Sequence, residues 1–300
     1  MEVINIKELT KDFDDKKFIL NKVNLNIKEG SIYGLIGANG AGKTTLIKHI
    51  TGLIKPNSGG VYVDGNNIYN NEVEKAKMAF IPDELFFFFN YNLQDMKNYI
   101  SKIYQNWSEK RYKELVRLFN VDDNKILSKF SKGMQKQAAF ILAMSTMPKY
   151  LILDEPIDGL DPIMRRKVWE CVMEDVAERN MTVFISSHNL REIEGICDTI
   201  GIISRGKVLL EGELDDLKSD IHKIQIVFDK EKEQNLDKLN ILHREKNGSV
   251  DLLIVRGKLE EIQEITLSFK PIIFDVLPLT LEEIFIYEVG EGNEINEILI

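Results

Sequence analysis

The stretch Gly37-Ala-Asn-Gly-Ala-Gly-Lys-Thr44 decides the fold of this 300-residue chain. It has the form Gly-x-x-x-x-Gly-Lys-Thr, and its flanks supply the strand and helix that this motif requires. Upstream, Ser31-Ile-Tyr-Gly-Leu-Ile36 is apolar enough for a buried strand, and downstream Thr45-Leu-Ile-Lys-His-Ile50 reads as the first turns of a helix. Gly37, Gly40 and Gly42 let the backbone wrap, so that N–H groups of the loop, Ala38, Asn39 and Ala41 included, point at one centre. The helix that follows, through Thr45, presents its positive end to the same anion. Lys43 is expected to reach β- and γ-phosphates, and the Thr44 hydroxyl to hold Mg²⁺. The stretch thus predicts a nucleoside triphosphate site.

Working outward, the bulk properties fit a globular protein. Hydrophobic residues make up 44% of the chain and charged residues 29%, which is ample for a core. The length suits a large domain with a smaller one. No apolar run approaches the ~20 residues that span a bilayer, and the charged N-terminus does not read as a signal peptide. The chain itself is therefore expected not to cross a membrane. A net charge of −9 and a pI of about 5.2 argue against non-specific nucleic-acid binding, which draws on clustered Lys and Arg. Cys171 and Cys197 show neither Cys-x-x-Cys nor Cys/His spacing and read as reduced core residues.

Strand patterns dominate the N-terminus, partly alternating in Val3–Ile6 and strictly in Val23–Ile27. Ser58–Gly65 places short strands around tight turns. From Leu93 to Met147 the chain reads mostly as helix, as in Leu93–Ile100 and Tyr112–Phe119, with apolar residues three and four apart. Strand–helix alternation then returns with Tyr150–Leu153, a helix Met164–Glu178 and Met181–Ile185. Around Asp216–Asp220 a charged connector begins a second region. There Asn247-Gly248 separates two strand-like runs as a hairpin would. Leu259–Phe269 forms an amphipathic helix, and Thr280 with Glu283 makes a capping box for a last one. This tail reads as a small α+β appendage, either a packing or dimerisation module or a holder of a regulatory ligand.

Tyr150-Leu-Ile-Leu-Asp-Glu-Pro156 places two carboxylates where a buried strand emerges, at the sheet edge where α/β proteins bind ligands. Asp154 is expected to serve Mg²⁺ directly or through a neighbour. Glu155, pointing elsewhere, is expected to take a proton from an attacking water. Phe130-Ser-Lys-Gly-Met134 precedes this strand, and Ile157-Asp-Gly-Leu-Asp-Pro162 follows it directly. Ile185-Ser-Ser-His188 ends the next strand, with His188 placed to donate to a γ-phosphate.

In this order the motifs resemble those of the ATP-binding subunits of ATP-binding cassette (ABC) transporters, over about residues 1–215. The resemblance implies an α/β P-loop NTPase core with an antiparallel β subdomain and a helical insertion, plus a small C-terminal α+β domain. It implies a nucleotide-binding domain at 1–217, with its helical subdomain at about 84–147, and an accessory domain at 218–300. ATP and Mg²⁺ are the implied cofactors. In the family, two cassettes pack head to tail, each ATP lying between the phosphate loop of one and the Ser-x-Gly signature of the other. Ser131 and Gly133 would then cradle the partner's γ-phosphate, although Ser131 reads equally as a helix N-cap. Asp161 would lie in the loop at the dimer seam. Phe13 matches the aromatic that stacks on adenine, the alternative being an ordinary core Phe.

Two departures stand out. Lys132 replaces the first Gly of the signature, while Gly133 remains. Asp83, in Phe80-Ile-Pro-Asp-Glu84, replaces the family's Gln, which senses metal and attacking water. As a shorter anion, Asp83 is expected to reach Mg²⁺ through a water. Leu85-Phe-Phe-Phe-Phe89 follows and reads either as an interface for a membrane subunit or as core of the helical insertion, with alternate rings doing each. The pattern is similar to bacterial exporter ATPases of the Ytr or bacitracin-resistance type. That implies a separate transmembrane permease, a second cassette as homo- or heterodimer partner, no nucleic acid, and a place at the cytoplasmic face of the cell membrane. The rival reading is a soluble ABC-type ATPase acting on ribosomes or DNA. Against it stand the single cassette, the lack of sustained heptads and zinc-ligand patterns, and the acidity.

Overall fold

A computed structural model of the chain describes residues 1–13, 18–228, 236 and 238–289. It divides into two compact units, one of Met1–Asn189 with Gly195–Glu211, the other of Leu190–Glu194 with Gly212–Ile300. The end of the expected accessory domain, 290–300, lies outside the described residues.

In the first unit, β1 (Glu2–Asp12) and β2 (Phe18–Lys28) pair antiparallel, their inward residues Val3, Ile6, Leu20, Val23, Leu25 and Ile27 almost fully buried. For Val23, Leu25 and Ile27 this is the face that strict alternation predicts, whereas register shifts interrupt the period in β1. A second sheet is built on β3 (Ile32–Ile36), which is buried at every position. β4 (Ser58–Val63) and β5 (Asn66–Asn67) return to the first sheet, giving the order β2-β1-β4-β5. β6 (Met78–Ile81), β7 (Tyr150–Asp154), β8 (Thr182–Ser187), β9 (Thr199–Ser204) and β10 (Lys207–Glu213) join the second, in the order β10-β9-β3-β8-β7-β6. Its strands β9, β3, β8, β7 and β6 run parallel. β7 and β8 are buried throughout, as strands covered on both faces must be. Tyr33 and Phe184 stack between β3 and β8 with ring centroids 5.5 Å apart.

The helical insertion follows β6. Its helices Leu93–Ile103, Glu109–Phe119 and Lys132–Ser145 each start at a side-chain cap, from Asn92, Ser108 and Ser131 respectively. Such caps supply acceptors for backbone N–H groups that have no partner inside the helix. Phe119 and Phe140 hold the second and third helices together edge to face. Phe86, Phe88 and Phe89 are exposed, while Leu85 and Phe87 are partly buried.

In the second unit, β11 (Ile221–Val227), β12 (Asn240–Asn247), β13 (Val250–Arg256) and β14 (Ile273–Leu277) form an antiparallel sheet of order β12-β13-β11-β14. Ile262 of the helix Leu259–Ser268 packs on Ile224, Ile226, Leu253 and Val255. The hairpin turns at Asn247-Gly248, and the last helix opens on the reciprocal Thr280–Glu283 box. Among the described residues, no helix is long and apolar enough to cross a membrane.

Candidate active site

Three neighbouring parallel strands deliver the site. Their register sets Ile36 beside Ser187 and Asp154 beside Ser186. The loop after β3, the carboxylates at the end of β7 and the Ser186-Ser187-His188 end of β8 therefore meet at one edge.

The phosphate loop is shaped by approaches that exclude side chains. A Cβ on Gly37 would stand 2.4 Å from the Ile203 carbonyl oxygen, and one on Gly42 would stand 2.9 Å from that of Ile19. Gly42, at φ 112°, starts the helix Lys43–Ile50 without a side-chain cap. The first N–H groups of that helix thus remain available to an anion. Ala41 N–H closes a turn on Ala38 O at 3.1 Å, leaving Asn39 and Gly40 at the exposed tip. Behind them, Thr45 O accepts from His49 Nδ1 at 2.8 Å. The Lys43 ammonium lies inside the loop, donating to Gly37 O at 2.6 Å and to Ala38 O at 3.3 Å.

The Thr44 hydroxyl donates to Asp154 Oδ2 at 2.8 Å, and the Ser186 hydroxyl donates to Asp154 Oδ1. Thr44 and the buried Asp154 thus present adjacent oxygen donors, the set that suits Mg²⁺, a hard cation. Glu155, one residue later, takes a left-handed φ of 47°. Its N–H donates to Ser186 O at 3.2 Å. Oε2 accepts the His188 N–H at 3.3 Å and lies 2.9 Å from His188 Nδ1. An ionised carboxylate has no proton to give, so Nδ1 carries the proton and donates to Oε2. Oε1 is buried without a hydrogen bond, although the Lys43 Nζ stands 3.2 Å away, at ion-pair range but out of hydrogen-bond alignment. Asp158 closes the group: its carboxylate, that of Glu155 and a ring nitrogen of His188 lie within 4.8 Å of one another.

The remaining expected residues lie at other points of the same unit. Ser131 caps its helix, accepting Met134 N–H at 3.3 Å. A Cβ on Gly133 would stand 2.7 Å from Gly159 O, so the glycine is required by contact with the loop after Glu155 within this chain. Asp161 caps Pro162–Arg179, accepting from Ile163 and Met164 N–H groups. Phe13 is 57% exposed, with Lys11 Nζ 4.9 Å from its ring centroid, and is not a core residue. Asp83, expected to reach Mg²⁺ through a water, has a cation as its neighbour. Its carboxylate pairs with Lys136 Nζ at 3.2 Å. Lys136, Ser186 and Asp158 were not foreseen. For Lys136 the signal was present: an anion at 83, where the family has a neutral Gln, calls for a nearby cation.

A phosphate loop with a strand-end carboxylate on its Thr and an adjacent Glu–His pair defines a P-loop nucleoside triphosphatase. Residues 20–158 match the ABC transporter family. The ABC transporter ATP-binding protein YtrB of Bacillus subtilis (strain 168) is 30% identical over 288 residues, 96% of this chain and 98% of its own. The bacitracin transport ATP-binding protein BcrA of Bacillus licheniformis is 37% identical over 219 residues, 72% of this chain and 71% of its own. A solved ATP-binding subunit of an ABC transporter aligns with a TM-score of 0.67 at 30% identity, covering 72% of this chain and 92% of that one. The dimeric cassette MJ0796 bound to ADP and Pi shares the fold, with a TM-score of 0.62 at 24% identity, over 70% of this chain and 98% of that one. The chain belongs to the ABC transporter family, as an ATP-binding and ATP-hydrolysing subunit.

Proposed function

We propose that ATP closes this cassette head to tail on a second one, and that the closure drives a separate permease of the exporter kind at the cytoplasmic face of the membrane. The observation that carries the chemistry is the buried Glu155 Oε1, which lacks a hydrogen bond and stands beside Lys43. In this reading the loop from Gly37 to Thr45 wraps the phosphates and Lys43 turns from Gly37 O to the γ-phosphate. Phe13 stacks on adenine. Thr44 and Asp154 hold Mg²⁺, which when bound offsets charge on the β- and γ-phosphates. Glu155 takes the proton of the attacking water, and His188, oriented by Glu155 Oε2, contacts the γ-phosphate. Ser131, Gly133 and Asp161 face the partner cassette, a pairing that the dimeric structure of MJ0796 supports. ATP favours the closed pair because only that state binds it from both sides. Residues 1–217 form the nucleotide-binding domain and 218–300 the accessory one.

For the permease, we propose a groove of about 230 Å³ lined by Phe80, Pro82, Leu85, Phe87, Ile100 and Tyr104. Phe86, exposed at its rim, extends the apolar surface. BcrA, named for bacitracin transport, supports a partner that transports.

The test is Glu155→Gln, which keeps the shape and removes the base. Hydrolysis should fall at least ~100-fold while ATP still binds, and ATP should now hold two copies together on gel filtration. Hydrolysis at the wild-type rate would sink the base assignment. In a mild-detergent purification from the native cells, a stoichiometric multi-spanning protein should accompany the chain. Ribosomal or DNA-bound proteins in its place would overturn the transport reading.

A further inference from the structure

Lys136 lies in the second turn of the helix Lys132–Ser145 and is 9% exposed. Its ammonium donates to Glu155 O at 2.6 Å and to Asp83 Oδ1 at 3.2 Å. Glu155 is a non-glycine residue at φ 47°, a conformation that costs of order 1 kcal/mol and persists only when its surroundings over-determine it. Here they do so on both sides. The Glu155 N–H is held by Ser186 O, and the carbonyl by Lys136. With both peptide groups fixed, the side chain leaves in the one direction that brings Oε1 to Lys43 and Oε2 to His188.

A buried ammonium needs a counter-charge, because a neutral carbonyl alone does not repay its lost hydration. Asp83 supplies that charge from the segment after β6. We propose that Lys136 is a positioning residue for Glu155, and that Asp83 is acidic because it must hold Lys136 rather than a metal. The three elements form an ionic strap from the segment after β6, through the Ser131-x-Gly133 helix, to the backbone of the base. The proposal rests on Glu155 being the base.

The experiment compares Lys136→Met, Lys136→Arg and Asp83→Gln in the full chain. Steady-state ATP hydrolysis is measured, together with ATP affinity by calorimetry. A displacement of the base by ~1 Å costs up to about 100-fold in rate. Lys136→Met should therefore lower kcat by about 10- to 100-fold while ATP affinity stays within about twofold. Lys136→Arg should recover most of the loss, since its guanidinium can still donate to the carbonyl. Asp83→Gln should retain turnover at a reduced rate, and the Lys136→Met/Asp83→Gln double variant should be no slower than Lys136→Met alone. An unchanged kcat in Lys136→Met, or additive losses in the double variant, would overturn the strap. Should Lys136→Met fail to fold, Lys136→Gln with Asp83→Gln carries the same comparison without a buried charge. Glu155→Gln run alongside separates the two readings. If it turns over normally, the base assignment fails; if it is dead while Lys136→Met is fully active, the strap alone fails.

Discussion

Lys43 and Glu155 face each other across the phosphate loop, Nζ to Oε1 at 3.2 Å, both nearly buried. The two opposite charges thus neutralise one another. Each is kept soluble in the interior by the other, an arrangement whose parts are costly to remove singly.

That relationship predicts a stability cycle in the nucleotide-free protein. Lys43→Met leaves the Glu155 carboxylate beside His188 alone and should destabilise the fold by about 1–3 kcal/mol. Adding Glu155→Gln should restore most of this, because no uncompensated charge remains. Urea unfolding of the two single variants and the double checks it. Strict additivity would mean that the pair is not coupled.

The loop glycines should rank by the space around them rather than by conformation. Gly37→Ala drives a Cβ to 2.4 Å from a backbone oxygen and should cost at least ~2 kcal/mol, with loss of ATP binding. Gly40→Ala meets nothing within 4 Å and bears only the positive-φ penalty of about 1 kcal/mol. Denaturation midpoints in the opposite order would contradict the loop geometry.

Asp64 predicts a pH dependence. Burial works against its ionisation, but hydrogen bonds from the Tyr150 hydroxyl at 2.6 Å, from Lys149 and from Lys77 outweigh it and hold the carboxyl below its usual range. A depressed folded value means that the unfolded chain binds the proton more tightly. The stabilisation is therefore present above the ordinary Asp pKa of about 3.9 and is lost as pH falls through the folded value. Asp64→Asn, which also tolerates the left-handed backbone at this turn, should lower stability by about 1–3 kcal/mol at neutral pH. The gap to wild type should shrink below pH ~4. A gap independent of pH would assign the effect to shape rather than charge.

Much of the molecule was legible from its sequence because the relevant forces are local. The strand–loop–helix around Gly37–Thr44 follows from an apolar run, three glycines and a helix start that are contiguous in the chain. The alternation of Val23–Ile27 set the buried face of β2, and the Thr280–Glu283 box marked a helix start from residues three apart. Asp154, Glu155 and His188 were recognisable because strand ends at one edge of a parallel sheet converge whatever their separation in sequence.

Tertiary structure alone decided which side chains those groups meet. Lys136 reaches Asp83 and Glu155 O from a helix start that, in sequence, reads only as a signature and a cap. Ser186 looked like any residue of a buried strand until register set it against Asp154. Gly133 read as a phosphate contact, yet the carbonyl of Gly159 also demands it. Phe13 read either as an adenine-stacking ring or as an ordinary core Phe, and only the tertiary structure shows it exposed. In each case the deciding energy is a desolvated charge, a hydrogen bond or a steric contact between segments far apart in the chain. Residue pattern encodes backbone preference and burial; it does not encode the distances at which such groups meet.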